Sequence, residues 1–159
     1  MNIFILSADP HEAAVSQCDA HVVKMLLEST QLLCNCLPEN TFPEQYKRTH
    51  YNHPCSIWTR SSHNNAAWLL NHAFWLSYEY THRYCKVHKC HRILQILVKI
   101  LVSHGVEYST PKEFAICMPS QFIAQDNPVE SYRNYYQHKK ETMHLFRYTR
   151  RAEPSWLSL

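Results

Sequence analysis

Residues 9–38 read DPHEAAVSQCDAHVVKMLLESTQLLCNCLP, and this stretch decides the fold class. Asp9-Pro10-His11-Glu12 is a compact helix start: Asp as cap, Pro at the first helical position, Glu reaching back from three residues on. Val15, Cys18, Val22, Met25, Leu26 and Leu33 then recur at helical spacing, with Ser29 as the polar exception. The period ends near Leu37-Pro38, so one amphipathic helix is expected up to that point.

The same signals recur outward along the chain. Residues 38–52 form a polar connection. Asn52-His53-Pro54 then opens a second helical region, whose apolar side is supplied by Ile57, Trp58, Trp68, Phe74, Trp75 and Tyr78, with a break near Ser61-Ser62. A third amphipathic stretch runs from about Lys89 to His104, and Gly105 stands where a left-handed helix terminator belongs. Thr110-Pro111-Lys112-Glu113 repeats the capping logic for a short helix, closed by Pro119. Asp126-Asn127-Pro128-Val129-Glu130 starts a last helix carrying Tyr132, Tyr135, Tyr136 and Phe146. With no internal repeat, low-complexity segment or linker, residues 1–159 read as a single all-α domain of about four to five helices.

Composition sharpens this by exclusion. Gly105 is the only glycine, where average usage of ~7% would give about eleven. G-x-G-x-x-G folds, P-loops and G-x-S-x-G elbows need several glycines and are excluded, and a hairpin-rich sandwich, which leans on glycine turns, is disfavoured. Residues 1–45 carry Lys24 against Asp9, Glu12, Asp19, Glu28, Glu39 and Glu44, whereas 46–130 and 131–159 each carry a net charge of +4. An acidic segment followed by basic, aromatic-rich ones suits either a solvated surface or a polyanion facing an acidic site. The seven cysteines are odd in number and follow no secretory pattern. The longest apolar run, Ile93 to Val102, is interrupted by Gln95 and Lys99 short of the ~18 residues a membrane span needs. A cytoplasmic protein with free thiols and no membrane partner is expected.

Gln17, His21, Lys24, Glu28 and Gln31 are spaced 4, 3, 4 and 3, which puts them on one helical face opposite the apolar stripe. That face is either solvated, with a Lys24–Glu28 pair contributing a few tenths of a kcal/mol, or a carboxylate with a nearby amine and imidazole for acid–base or Schiff-base work. Asp19 lies toward the apolar side, where a carboxylate needs a cation or backbone donors. His50, Asn52 and His53 precede the second helix as caps, polar core or site groups. Residues 82–92 hold Arg83, Lys86, Lys89, Arg92, three histidines including His88, and Tyr84, with no acid. That composition suits phosphate contacts. Cys85, His88, Cys90 and His91 crowd four ligand types into seven residues, which fits no usual tetrahedral pattern, so no metal is expected. Tyr132, Arg133, Tyr135 and Tyr136 pack as core or form a groove where rings stack on an extruded base. Lys139, Lys140, Arg147, Arg150 and Arg151 follow them.

Residues 18–28 (CDAHVVKMLLE), 52–54 (NHP), 78–84 (YEYTHRY) and 132–136 (YRNYY) resemble small phage and bacterial proteins labelled pyrimidine-dimer DNA glycosylases. These are relatives of the bacteriophage enzyme endonuclease V. The resemblance rests on Asp19-x-His21 with Glu28 nine positions on, on His53, on Glu79 and Arg83, and on the C-terminal tyrosine cluster. It implies an endonuclease V-like helical fold in which an amine attacks the sugar C1′ of a damaged nucleotide, releasing the base through an imine that permits β-elimination. By resemblance Glu28 is the helix carboxylate, with His21, Lys24 and His53 around it. Arg83, Lys86, His88, Lys89, Arg92, Tyr132, Arg133 and Tyr136 would hold DNA. The chain departs from the pattern at the amine. The family uses a small residue exposed by methionine removal, whereas Asn2 is bulky here, so Met1 would supply the α-amine with Lys24 as rival. The reading is a monomeric DNA glycosylase and possible lyase without cofactor, acting on damaged or modified bases in duplex DNA. The alternatives are a non-catalytic nucleic-acid binder of the same fold, or a DNA-modification enzyme.

Overall fold

The computed structural model describes residues 1–105, 111, 113–125 and 127–157. Asp9 Oδ1 accepts the Glu12 N–H at 2.8 Å, and this cap with Pro10 behind it starts α1 (Pro10–Val15). The expected single helix does not continue. It stops at Ser16, and α2 (Asp19–Cys34) begins afresh. The cause is tertiary: the Cys18 N–H donates to the Tyr136 hydroxyl at 2.7 Å and the Asp19 N–H to Arg147 O at 2.9 Å. Partners more than a hundred residues away satisfy amides that a continuous helix would have used internally.

The other boundaries follow local chemistry. His53 Nδ1 accepts the Cys55 N–H to start α3 (Pro54–Ser61). Ser62 is extended, and its hydroxyl accepts the Asn65 N–H to start α4 (His63–Tyr84), so the break expected near Ser61-Ser62 is present. α5 (Cys90–Ser103) ends at His104 and Gly105, whose φ of 76° is the left-handed terminator the sequence called for. Asn127 Oδ1 accepts the Glu130 N–H at 3.1 Å to cap α6 (Pro128–Thr142). α6 stops short of Phe146. Of the start expected at Thr110 to Glu113, Thr110 and Lys112 lie outside the described residues, as does Asp126. Residues 113–119 form no helix. Two short 3₁₀ turns, Ser120–Phe122 and Ser155–Leu157, complete an all-helical chain with six α-helices and no strand among the described residues.

α4 is the central element and packs against α1, α2, α3 and α5. Trp68, Leu69, Ala73 and Leu76 are its fully buried face. Ahead of α1, Ile3, Phe4, Ile5 and Leu6 are at most 4% exposed. Each such side chain contributes ~1.5–3 kcal/mol on burial, enough to fix the amino terminus against α2 and α6. The chain after α6 folds back over α2 and α4. Tyr148 donates to Ser16 O, Thr149 donates twice to Asp19, and Arg151 forms a two-point pair with Glu79. Among the described residues no helix is long and apolar enough to cross a membrane.

Candidate active site

The amino terminus is held by Asn2. Its Oδ1 accepts the Ile3 and Phe4 N–H groups at 2.7 and 3.0 Å, and its Nδ2 donates to Cys117 O at 2.8 Å. Phe4, turned by this arrangement, sits at a φ of 55°, a conformation that costs a bulky residue ~1–3 kcal/mol and tends to mark functional sites. The Asn2 N–H donates to Glu28 Oε2 at 2.8 Å, and the Met1 amine lies 4.0 Å from the same oxygen. Lys24 Nζ lies 3.8 Å from Oε1. Glu28 is therefore bracketed by two amines, with its side chain only 12% exposed while that of Lys24 is 68% exposed. These groups face a cavity of about 440 Å³, whose wall also includes His21, Tyr135 and Lys139.

His21 is buried, stacked on Phe4 at a ring-centroid distance of 4.5 Å, and shares a 2.9 Å hydrogen bond with the Tyr136 hydroxyl. Burial, then the charges of Lys139 and Lys24, push its pKa down to about 4. The ring is neutral at pH 7, so it serves as a hydrogen-bonding group rather than a cation. His53 does not line this cavity. Its Nε2 lies 3.3 Å from the Sγ of Cys117, which does, placing His53 one side chain behind the wall. Burial, then the charges of the amino terminus and His50, lower its pKa against the opposing pull of Glu28. A carboxylate between two amines, beside a neutral imidazole, can take up protons and stabilise positive charge developing on a bound ligand.

No protein-family model, curated protein or solved structure matches the chain. The site is therefore judged on its own geometry.

That geometry brings Met1, His21, Lys24 and Glu28 onto one cavity and separates the residues expected to hold DNA. Arg83 is buried, donating to Asp19 Oδ1 at 3.0 Å and Glu79 Oε1 at 2.7 Å, so it offers no face to a phosphate. Burial raises the Asp19 and Glu79 carboxyls. Hydrogen bonds from Thr149 and Arg83 in one case, and from Arg151 and Arg83 in the other, more than reverse that, leaving both below their usual values. Tyr132 and Tyr136 are fully buried, one donating to Ala115 O and the other joined to Cys18 and His21, so they are core rather than stacking platforms. Arg133 donates to Leu6 O and lies 4.9 Å from the Trp156 ring, lining a separate cavity with Arg151.

Lys86 and Lys89 are exposed. His88 Nδ1 accepts the Cys90 N–H, and Arg92 pairs with Glu44 at 3.0 Å. Lys89 and Arg92 border another depression, apart from Glu28. The cations at the Glu28 cavity are instead Lys24 and Lys139, with Lys139 4.9 Å above the Tyr135 ring. Tyr135 was legible as one of the rings of a candidate base-stacking groove, and Lys139 as part of the basic helix that carries it, but neither as a neighbour of Glu28. Phe4 and Cys117 carried no sequence signal, and Asn2 was noticed only for its bulk, not as the anchor of the amino terminus.

Proposed function

We propose that the chain is a DNA glycosylase with lyase-type chemistry, endonuclease V-like, acting on damaged bases such as pyrimidine dimers, or on modified bases, in DNA. The observation that carries this reading is the Met1 amine beside Glu28 at the mouth of a cavity with lysines on its rim. In this scheme the amine forms a bond to C1′ as the bond from C1′ to the base breaks, the base leaving with the electron pair and taking a proton from solvent. Glu28 stabilises the positive charge on the sugar, takes the proton the amine releases and returns it to O4′ as the C1′–O4′ bond breaks, and the opened sugar is held as an imine. Removal of a C2′ proton then permits β-elimination of the 3′ phosphate. Tyr135 offers a ring to an extruded base, and Lys24 and Lys139 offer charge to the flanking phosphates.

Borohydride trapping on ultraviolet-irradiated duplex DNA tests this. A covalent adduct mapping to the Met1 peptide is expected. Glu28→Gln should lower its yield by about 10²-fold or more, and Nα-acetylation should abolish it. An adduct on Lys24 would transfer the nucleophile's role to that residue. Salt-sensitive DNA binding with no adduct, unaltered by Glu28→Gln, would sink the reading.

A further inference from the structure

Behind the wall of the Glu28 cavity, a ring nitrogen of His53, Cys55 Sγ and Cys117 Sγ all lie within 4.8 Å of one another. His53 Nδ1 accepts the Cys55 amide N–H at 3.2 Å. A ring nitrogen that accepts a hydrogen bond carries no proton, so the proton of the neutral ring is on Nε2. That N–H lies 3.3 Å from Cys117 Sγ and donates to it. The Cys55 Sγ lies within 4.8 Å of the same sulfur. Cys117 thus receives the His53 N–H and borders open space, whereas Cys55 is fully buried.

This tautomer argues against a metal ion. Coordination through Nε2 would move the ring proton to Nδ1, where it would oppose the Cys55 N–H. It favours the anionic sulfur instead. The other charged or titratable groups around the pair are the amino terminus, Glu28 and Tyr132. The neighbouring Cys55 thiol, with the amino-terminal charge assisting, outweighs burial and brings the Cys117 thiol down to about 7. The Cys55 thiol is raised by its pairing with Cys117 and by burial.

We propose that Cys117 is a hydroperoxide-reactive thiolate held by His53, and that Cys55 is its resolving thiol. The Cys117 sulfur attacks the terminal oxygen of the hydroperoxide and the O–O bond breaks. Cys117 is oxidised to the sulfenic acid, and the peroxide is reduced to an alcohol or water. The Cys55 sulfur then attacks Cys117, forming the disulfide, while the sulfenic oxygen leaves as water with the Cys55 proton. Cys117 O accepts the Asn2 Nδ2 bond, and Asn2 in turn donates to Glu28, so oxidation acts on the anchor of the amino terminus. The inference rests on these side chains and is independent of the DNA reading.

The test uses the full reduced chain, one equivalent of hydrogen peroxide and peptide mass spectrometry. A Cys55–Cys117 disulfide is expected. Cys55→Ser should instead leave a dimedone-reactive sulfenic acid on Cys117. His53→Asn, which retains a cap for α3 but not the reach to Cys117, should slow iodoacetamide labelling of Cys117 at pH 7 by about fivefold, the fall in thiolate fraction when a thiol near 7 rises by one pKa unit. Three results would overturn the proposal: labelling of Cys117 no faster than in the urea-unfolded chain, oxidation elsewhere with Cys117 untouched, or a stoichiometric zinc ion retained by the native protein and lost in Cys117→Ser.

Discussion

At the scale of single residues, Asn2 shows how one side chain fixes chemistry at a chain end. Three of its hydrogen bonds use the carboxamide, and a fourth, from its amide N–H, holds Glu28. Asn2→Ala should leave the melting transition within a few degrees of the parent and reduce borohydride trapping by about 10- to 100-fold, because reacting groups tolerate little misplacement. His72 is a second case. It is completely buried against Trp68, its Nε2 lies 3.3 Å from Gln17 Nε2, and its Nδ1 has no partner among the described residues. Burial lowers its pKa to about 3, and that of His21 falls to about 4. Because both folded values lie below the unfolded value near 6.5, the unfolded chain binds more protons under mildly acidic conditions. Stability is full above pH ~6.5 and declines as pH falls toward 4, by up to ~1.4 kcal/mol per pH unit for each histidine. Urea unfolding at pH 7.5, 6.0 and 5.0 should show this slope, and His72→Gln should reduce it by the share of one histidine, up to ~1.4 kcal/mol per pH unit.

At the scale of elements, the short break at residues 16–18 and the return of the C-terminal chain are one event. Asp19, at the start of α2, gathers Arg83 from α4 and Thr149 from the tail, while Glu79 gathers Arg83 and Arg151. Removing the shared cation leaves the buried Asp19 and Glu79 carboxylates without their innermost partner, with only Thr149 and the exposed Arg147 and Arg151 beside them. Arg83→Met is therefore expected to destabilise the fold by ~3–5 kcal/mol in denaturant titrations. If Arg83 instead held a phosphate, the same substitution would mainly weaken DNA binding. The end of α5 offers a cleaner case. A Cβ at Gly105 would meet no atom within 4 Å, so Gly105→Ala carries only the backbone penalty of its positive φ, about 1 kcal/mol.

At the scale of the whole molecule, much of the charge that looks available in the sequence is used internally. Arg151 and Arg83 answer Glu79, Arg92 answers Glu44, and Lys140 answers Glu153. Lys24 and Lys139 remain at the rim of the Glu28 cavity. On the proposed reading, Lys139→Gln should reduce the slope of log K against log salt for DNA by about 0.9, and Lys89→Gln, on the other depression, should leave it unchanged. Fluorescence titrations between 50 and 200 mM salt, a range over which such slopes are resolved, check both.

The helix starts at Asp9-Pro10, His53-Pro54, Ser62 and Asn127-Pro128 and the stop at Gly105 were legible in the sequence, because each depends on hydrogen bonds and torsions within a few residues. So was the Lys24–Glu28 pair, set by helical period alone, and the need of Asp19 for a cation. The interruption of the first helix was not legible, since Tyr136 and Arg147 take its amides from the far end of the chain. Nor was the choice between Arg83 as phosphate ligand and Arg83 as buried partner, which depends on which carboxylates the packing brings to it. By itself the sequence determined an all-helical chain and a carboxylate with an amine beside it. Only the tertiary structure decided that the amino terminus and Cys117 share the cavity of that carboxylate. Contacts between residues 1–4, 28 and 117 are made by packing, and no local pattern encodes them.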